Sequence, residues 1–177
     1  RQRFEDHPGT AGTKIEVLLG RLGDEWSRPA QPFATVAPFA STVSRTYVPQ
    51  THHSLAEPFL SYWQSHGGVR ILGFPISELV AENGLQVQYF ERARFEYHPE
   101  ARGTPYDVQL GLLGVQVIEN RFFPLRTSTV NSAGATSFPQ TGHTLSARFR
   151  GCWQARGGRN HSGYPPTRDG VARQPDA

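Results

Sequence analysis

Residues 94–114 read RFEYHPEARGTPYDVQLGLLG, and residues 3–23 read RFEDHPGTAGTKIEVLLGRLG. Aligned without a gap, 12 of these 21 positions are identical at an offset of 91. Residues 47–68 (YVPQTHHSLAEPFLSYWQSHGG) and 137–158 (SFPQTGHTLSARFRGCWQARGG) agree at 10 of 22 positions at an offset of 90. One unit of about ninety residues therefore accounts for both pairs. A fixed period marks a modular architecture, in which each unit buries part of its apolar face against a neighbour. The repeated letters are aromatic, Gly and Pro rather than acid, base or nucleophile. The question becomes what the array holds, not which reaction it runs.

The period divides the chain into five stretches. Residues 1–23 are the tail of one repeat. Residues 24–50 carry Pro29, Pro32, Pro38 and Pro49 with no acid after Glu25, and read as an extended, proline-rich connector. Residues 51–114 form the one complete unit. Residues 115–140 are a second connector, rich in Ser, Thr and Ala around Phe122, Phe123 and Pro124. Residues 141–177 begin a further repeat and then decay.

Inside the complete unit, Phe59 and Trp63 lie four apart with Leu55 and Leu60 nearby, which predicts a short helix from about Leu55 to His66. Ser54 and Glu57 have capping-box spacing, and Gly67-Gly68 supplies a stop. Pro58 is tolerated only in a first turn. Leu85, Val87 and Tyr89 then alternate, and after a break at Glu91-Arg92-Ala93 so do Phe95 and Tyr97, as a hairpin requires. Tyr106 to Leu110 reads as a third strand. The expected class is α+β and β-rich, with tandem units each built from a short helix and an antiparallel hairpin.

Composition sets further bounds. The chain of 177 residues can bury a sizeable core, and its 37% hydrophobic and 11% aromatic content places that core on a few large rings. Gly and Pro total 18 + 14 = 32 residues, which favours turns over long helices. The net charge is +3 and Lys14 is the single lysine, so the basic groups are almost all Arg, without the dense run of a nucleic-acid footprint. Cys152 stands alone, so no intrachain disulfide forms. No apolar stretch is long enough to span a bilayer and no signal peptide is present. With no Met and an opening in mid-repeat, the expectation is a piece of a longer polypeptide.

Between helix and hairpin the chain reads Trp63-Gln64-Ser65-His66-Gly67-Gly68-Val69-Arg70-Ile71-Leu72-Gly73-Phe74-Pro75-Ile76-Ser77-Glu78. Val87-Gln88-Tyr89-Phe90, Phe95-Glu96-Tyr97-His98-Pro99 and Thr141-Gly142-His143 continue the pattern, with Thr51-His52-His53 a looser match to the last. This resembles the LGFP repeat of bacterial cell-envelope proteins over residues 51–99, and in part over 137–165. The unit here is longer, because a VxLGxLG strand and a connector are inserted. In the final copy Arg159, His161 and Ser162 replace Val69, Ile71 and Leu72, leaving Gly163-Tyr164-Pro165. The resemblance implies a propeller-like repeat and non-catalytic attachment of an extracellular protein to the cell wall.

The candidate ligand-facing residues are Tyr89, Tyr97, Arg94 and Trp63, with Trp63 expected to be mostly buried. Trp63 and Trp153 recur in register, as module cores or as platforms for sugar rings. Arg94 and Glu96 recur as Arg3 and Glu5, as cross-strand ion pairs or as a hydrogen-bonding rim for glycan hydroxyls. Gly73-Phe74-Pro75 and Gly163-Tyr164-Pro165 read as turns that point one aromatic inward. His7, His53, His98 and His143 recur without a metal-ligand motif, and are expected to close turns by hydrogen bonding rather than to bind a metal. No nucleophile elbow, Walker loop or dinucleotide fingerprint occurs, and no acidic pair recurs in each unit.

The expectation is a non-enzymatic module, without metal or cofactor, that attaches a secreted or envelope protein to peptidoglycan or another cell-wall polysaccharide. It would neither bind nucleic acid nor insert in a membrane, and would be joined covalently to further repeats or a catalytic domain. The alternatives are a structural spacer without ligand, or part of an extracellular hydrolase.

Overall fold

A computed structural model of the chain describes residues 3–7, 9–10, 12–13, 16–27, 32–118, 134–159 and 163–165. Most of the expected second connector, 119–133, and the end of the chain after 165 lie outside the described residues.

The described elements run β1 (Phe4–Asp6), β2 (Val17–Leu19), α1 (Leu22–Ser27), β3 (Arg45–Val48), β4 (His53–Ala56), α2 (Phe59–Ser65), α3 (Gly68–Ile71), β5 (Val80–Glu82), β6 (Leu85–Tyr89), β7 (Arg94–Tyr97), β8 (Val108–Leu110), α4 (Leu113–Ile118), β9 (Thr136–Phe138), β10 (His143–Leu145) and α5 (Ala147–Ala155). A 3-10 turn at Pro99–Ala101 joins β7 to β8. The class is mixed α+β. Every strand pairing is antiparallel, in three two-stranded sheets and one four-stranded meander β5-β6-β7-β8. Among the described residues none of these sheets closes into a barrel or propeller.

The chain divides into two compact units. One holds residues 21–113; the other joins 2–20 with 114–177.

In the first unit the meander is covered on both faces. Gln88 pairs with Phe95 and Tyr89 with Arg94 across β6 and β7, and directly opposed residues share a face. Phe95 therefore points one way, where Phe59 and Tyr62 of α2 meet it edge-on at 5.6 and 5.0 Å and Phe90 stacks at 4.0 Å. Phe59, Phe90 and Phe95 are all buried, and they form the ring-dominated core that the composition demanded. The other face carries Val87, Tyr89 and Leu113, packed against Phe33, Ile76, Val80 and Leu85.

Three boundaries differ from expectation. The helix starts at Phe59, not Leu55, because Ser54 and Leu55 belong to β4 and Pro58 precedes the first turn. The Ser54–Glu57 capping box does not form, and the N-terminus of α2 has no side-chain cap. Residues 24–50 are not all connector, since they supply α1 and β3. The third strand begins at Val108 with Tyr106 exposed, and β5 was not expected at all.

In the second unit β9 and β10 pair so that Phe138 opposes His143, as Val48 opposes His53 in β3 and β4. The turns match as well. Thr51 and His52 donate their amides to Val48 O at 3.3 and 2.9 Å, and Thr141 and Gly142 donate theirs to Phe138 O at 3.1 and 2.9 Å. The turn needs a left-handed residue: Gly142 has φ 68° and His52 has φ 57°. Glycine adopts this freely, whereas a side chain is strained. At His52 the ring nitrogen Nδ1 hydrogen bonds the Tyr47 hydroxyl at 2.8 Å, which helps to hold the strained residue. The Val17 carbonyl of β2 accepts from Arg156 Nη1 just beyond α5 at 3.4 Å.

Candidate functional site

The WxxxGGxxILGFPxSE stretch is a set of tethers. Trp63 of α2 donates its indole N–H to Gly73 O at 2.8 Å, which ties the helix to the following turn. Gly73 has φ 82°, and Pro75 behind it is buried and bridges to Phe90. Two residues on, Ser77 is fully buried; it accepts from the Tyr89 amide at 2.9 Å and donates to Glu78 O at 2.8 Å. The Glu78 carboxylate then reaches β4, accepting from the Ser54 amide at 2.7 Å and from the Ser54 hydroxyl. Gln88 completes the knot. Its amide is buried and donates to Ser54 O and Ser77 O, both at 2.7 Å. A buried polar group stays where its partners are fixed, so this network holds hairpin β3–β4 against the turn.

His53 borders the knot. It is 4% exposed, and its Nδ1 lies 3.4 Å from Glu78 Oε1, in ionic reach but without hydrogen-bond alignment. Burial pushes its pKa below the ordinary 6.5, and the Glu78 carboxylate only partly offsets this.

That hairpin, α2 and the Gly73-Phe74 turn enclose a groove of about 350 Å³. One wall is β3 and its turn, from Thr46, Tyr47 and Val48 to Pro49 and Gln50, with Thr42 and the exposed Val43 at the lip. The other is Leu60, Trp63 and Gln64 of α2, with Phe74 beside them. Three rings, two primary amides and two threonine hydroxyls line it, and no side chain there is charged at neutral pH. Sites for small ligands commonly have such a make-up, apolar surface with a few placed polar groups. The Trp63 nitrogen is already engaged, so the ring offers its carbon surface rather than a donor.

The four candidate residues do not converge. Tyr89 is 5% exposed, so the structure corrects its expected place on an open hairpin face. The cause is Phe33, which stacks on it at 5.3 Å, while its hydroxyl donates to the Glu82 carboxylate at 2.9 Å. Burial raises the phenol pKa, and Glu82 adds to the rise. Arg94 shares that face and lies over the Tyr89 ring at 6.0 Å. It pairs with Glu96 along its own strand, and across the sheet with Glu82 of β5 at 3.7 Å. Tyr97 is half-buried on the opposite face, in line with Phe95. Trp63 is half-buried and alone of the four lines the groove.

Gly163 has φ 72° and its carbonyl accepts from the Trp153 indole at 3.1 Å, so Gly163-Tyr164 repeats the geometry of Gly73-Phe74; Pro165 is half-buried. Reasoning from the sequence missed Tyr47, Gln50 and Gln64. A signal was there: Pro-Gln-Thr and Trp-Gln are identical in both copies, at 49–51 and 139–141 and at 63–64 and 153–154. A tethered Trp and a turn-forming Pro have structural reasons to recur, but two exposed glutamines have none.

Among the described residues no group of three His, Cys, Asp or Glu could hold a metal ion, and no helix is long and apolar enough to cross a membrane. No protein-family model, curated protein or solved structure matches the chain.

Proposed function

We propose that this chain is a non-catalytic attachment module of the LGFP-like kind, built from tandem units that each carry a short helix and an antiparallel hairpin. It holds a secreted or surface protein on peptidoglycan or another cell-wall polysaccharide in the cell envelope. In this reading further repeats or a catalytic domain are joined to it covalently. The groove of 21–113 is the glycan site, rather than the Tyr89–Arg94 face.

The observation that carries the reading is the lining of that groove. Tyr47, Trp63 and Phe74 offer flat apolar surface of the kind that sugar rings cover, and Gln50, Gln64, Thr42 and Thr46 offer donors and acceptors for hydroxyls. The lining has no acid, base or nucleophile that would act on a bound sugar. Weak sites repeated along a chain gain from effective concentration, which suits retention on a polymer.

The test is retention of the full chain on insoluble peptidoglycan and on an insoluble neutral polysaccharide. The Gln50→Ala/Gln64→Ala variant removes two exposed amides without touching the core. Its retention should fall about thirtyfold, each of the two lost hydrogen bonds contributing roughly 1 kcal/mol. Unchanged retention would remove the groove from consideration. A parent chain retained on neither matrix would leave a spacer.

A further inference from the structure

The helix segment that walls the groove differs in charge from its counterpart in the second copy, although the residues that shape it are kept. Residues 57–69 read EPFLSYWQSHGGV, with one carboxylate and no Arg; residues 147–159 read ARFRGCWQARGGR, with four Arg and no carboxylate. With His neutral the formal charges are −1 and +4, a difference of 5 over 13 positions. Phe, Trp, Gln and both Gly are unchanged between them, so the charge was altered without altering the fold signals.

One of these arginines takes a groove position, and a second bonds the residue at another. Leu60 lies one helical turn before Trp63 and Gln64 and forms part of the groove wall. Its counterpart Arg150 lies one turn before Trp153 and Gln154 in α5, half-buried, with no carboxylate partner among the described residues. Phe74 lines the first groove; its counterpart Tyr164 accepts a hydrogen bond from Arg159 Nη1 at 3.1 Å. The surrounding rings are in place, with Phe138 5.3 Å from Trp153 and 5.9 Å from Tyr164. Thr136, Pro139, Gln140 and Gln154 repeat Thr46, Pro49, Gln50 and Gln64.

We propose that the second copy, around Trp153, is an anion-selective glycan subsite in which Arg150 and Arg159 take a carboxylate or phosphate substituent on a sugar. The inference rests on the glycan reading above and adds the charge of the ligand to it. A guanidinium gives planar, paired donors that match either anion, and a half-buried one with no carboxylate partner among the described residues gains most from it. Nucleic acid is the lesser fit. Two cations beside a Trp with retained glutamines suit one substituent, whereas a nucleic-acid backbone calls for a broad basic stripe.

The full chain is titrated calorimetrically with trigalacturonate, with its methyl ester and with a phosphorylated trisaccharide, at low and at moderate salt. The acid should bind roughly tenfold more tightly than the ester, as hydrogen bonds to a charged group warrant. The R150L/R159V variant carries the first copy's residue types, and should erase that difference; R70L/R102L, which removes the same charge from exposed sites, should keep it. Thermal melting checks the fold, and R150Q serves as a milder second variant. Acid and ester of equal affinity, or a difference that R70L/R102L also erases, would overturn the subsite while leaving the glycan reading intact. Tighter binding of an oligothymidylate than of any sugar would make the patch a nucleic-acid surface. If none of the three sugars binds, the glycan reading itself falls. Comparing the carboxylate with the phosphate arm then identifies which anion the arginines prefer.

Discussion

Trp63 and Gly73 are joined by a single hydrogen bond, the indole N–H donating to the glycine carbonyl at 2.8 Å. Trp153 and Gly163 repeat it at 3.1 Å, the same ten residues apart. The bond fixes the edge of the ring against the turn and leaves part of the ring to line the groove. Core residue and ligand platform are thus two sides of one side chain, and a single substitution at Trp63 cannot separate them.

Trp63→Phe should destabilise the 21–113 unit by about 1 kcal/mol, since it removes the donor to Gly73 O while keeping an aromatic ring. For a unit of this size that corresponds to a fall of about 4–8 °C in its melting temperature, read by circular dichroism. An unchanged melting temperature would mean that the bond does not hold the turn.

Gln88 is the least replaceable residue of the knot. Gln88→Leu keeps the bulk but strands the Ser54 and Ser77 carbonyls, and should cost about 2–4 kcal/mol in urea unfolding at pH 7. Gln88→Glu should be worse at pH 7, because an ionised acceptor then faces two acceptors. Its deficit relative to the parent should shrink at pH 4, where a protonated acid can donate to one of them. Equal deficits at the two pH values would contradict the assignment of Gln88 as donor.

Part of this was legible in the sequence. The alternation from Leu85 to Tyr97 located β6 and β7 because strand periodicity is local. Pairing Tyr89 with Arg94 and Gln88 with Phe95 then sent the two aromatic sets to opposite faces, which alternation within each strand cannot reveal. Ser54 and Glu57 looked like a helix cap, but Ser54 serves Glu78, 24 residues away. Tyr89 looked open because its cover, Phe33, comes from the stretch read as connector. The groove draws on residues from Thr42 to Phe74, and only the recurrence of Gln50 and Gln64 beside Pro49 and Trp63 hinted at it.

His53 makes the fold sensitive to acid. Its folded-state pKa lies below the unfolded value of 6.5, chiefly through burial, so the folded state binds the proton less readily than the unfolded chain. Its contribution is fully present above pH 6.5 and is lost progressively as pH falls toward the lowered folded value; Glu78 softens the loss and neighbouring His52 adds to it. His53→Gln should flatten the parent's stability profile between pH 7 and pH 5, followed by urea midpoints. A profile as steep as the parent's would place the acid sensitivity elsewhere.

Two glycines that neither copy varies should respond very differently to Ala. Gly23 is buried at the start of α1, and its amide donates to Glu91 O at 3.1 Å. A Cβ there would land on the Phe90 carbonyl oxygen, which is backbone just past β6, tied through its amide to Ala93 O and bridged to Pro75, and cannot swing aside. Gly23→Ala should therefore cost about 3 kcal/mol or more, at the upper end of overpacking penalties. At Gly111 the added Cβ would instead meet the ends of the Arg94 and Glu96 side chains, at 2.7 Å from Arg94 Nε and 2.6 Å from Glu96 Oε1. Those ends can rotate away at the expense of their mutual pair, which is mostly buried at 12% and 17% side-chain exposure and so is worth more than a surface pair. Gly111→Ala should thus cost about 1–2 kcal/mol, toward the lower end of overpacking penalties, and urea unfolding of both variants checks the ranking. The reverse order would mean that the Arg94–Glu96 pair is rigidly held and that α1 yields where the close approach at Phe90 says it cannot.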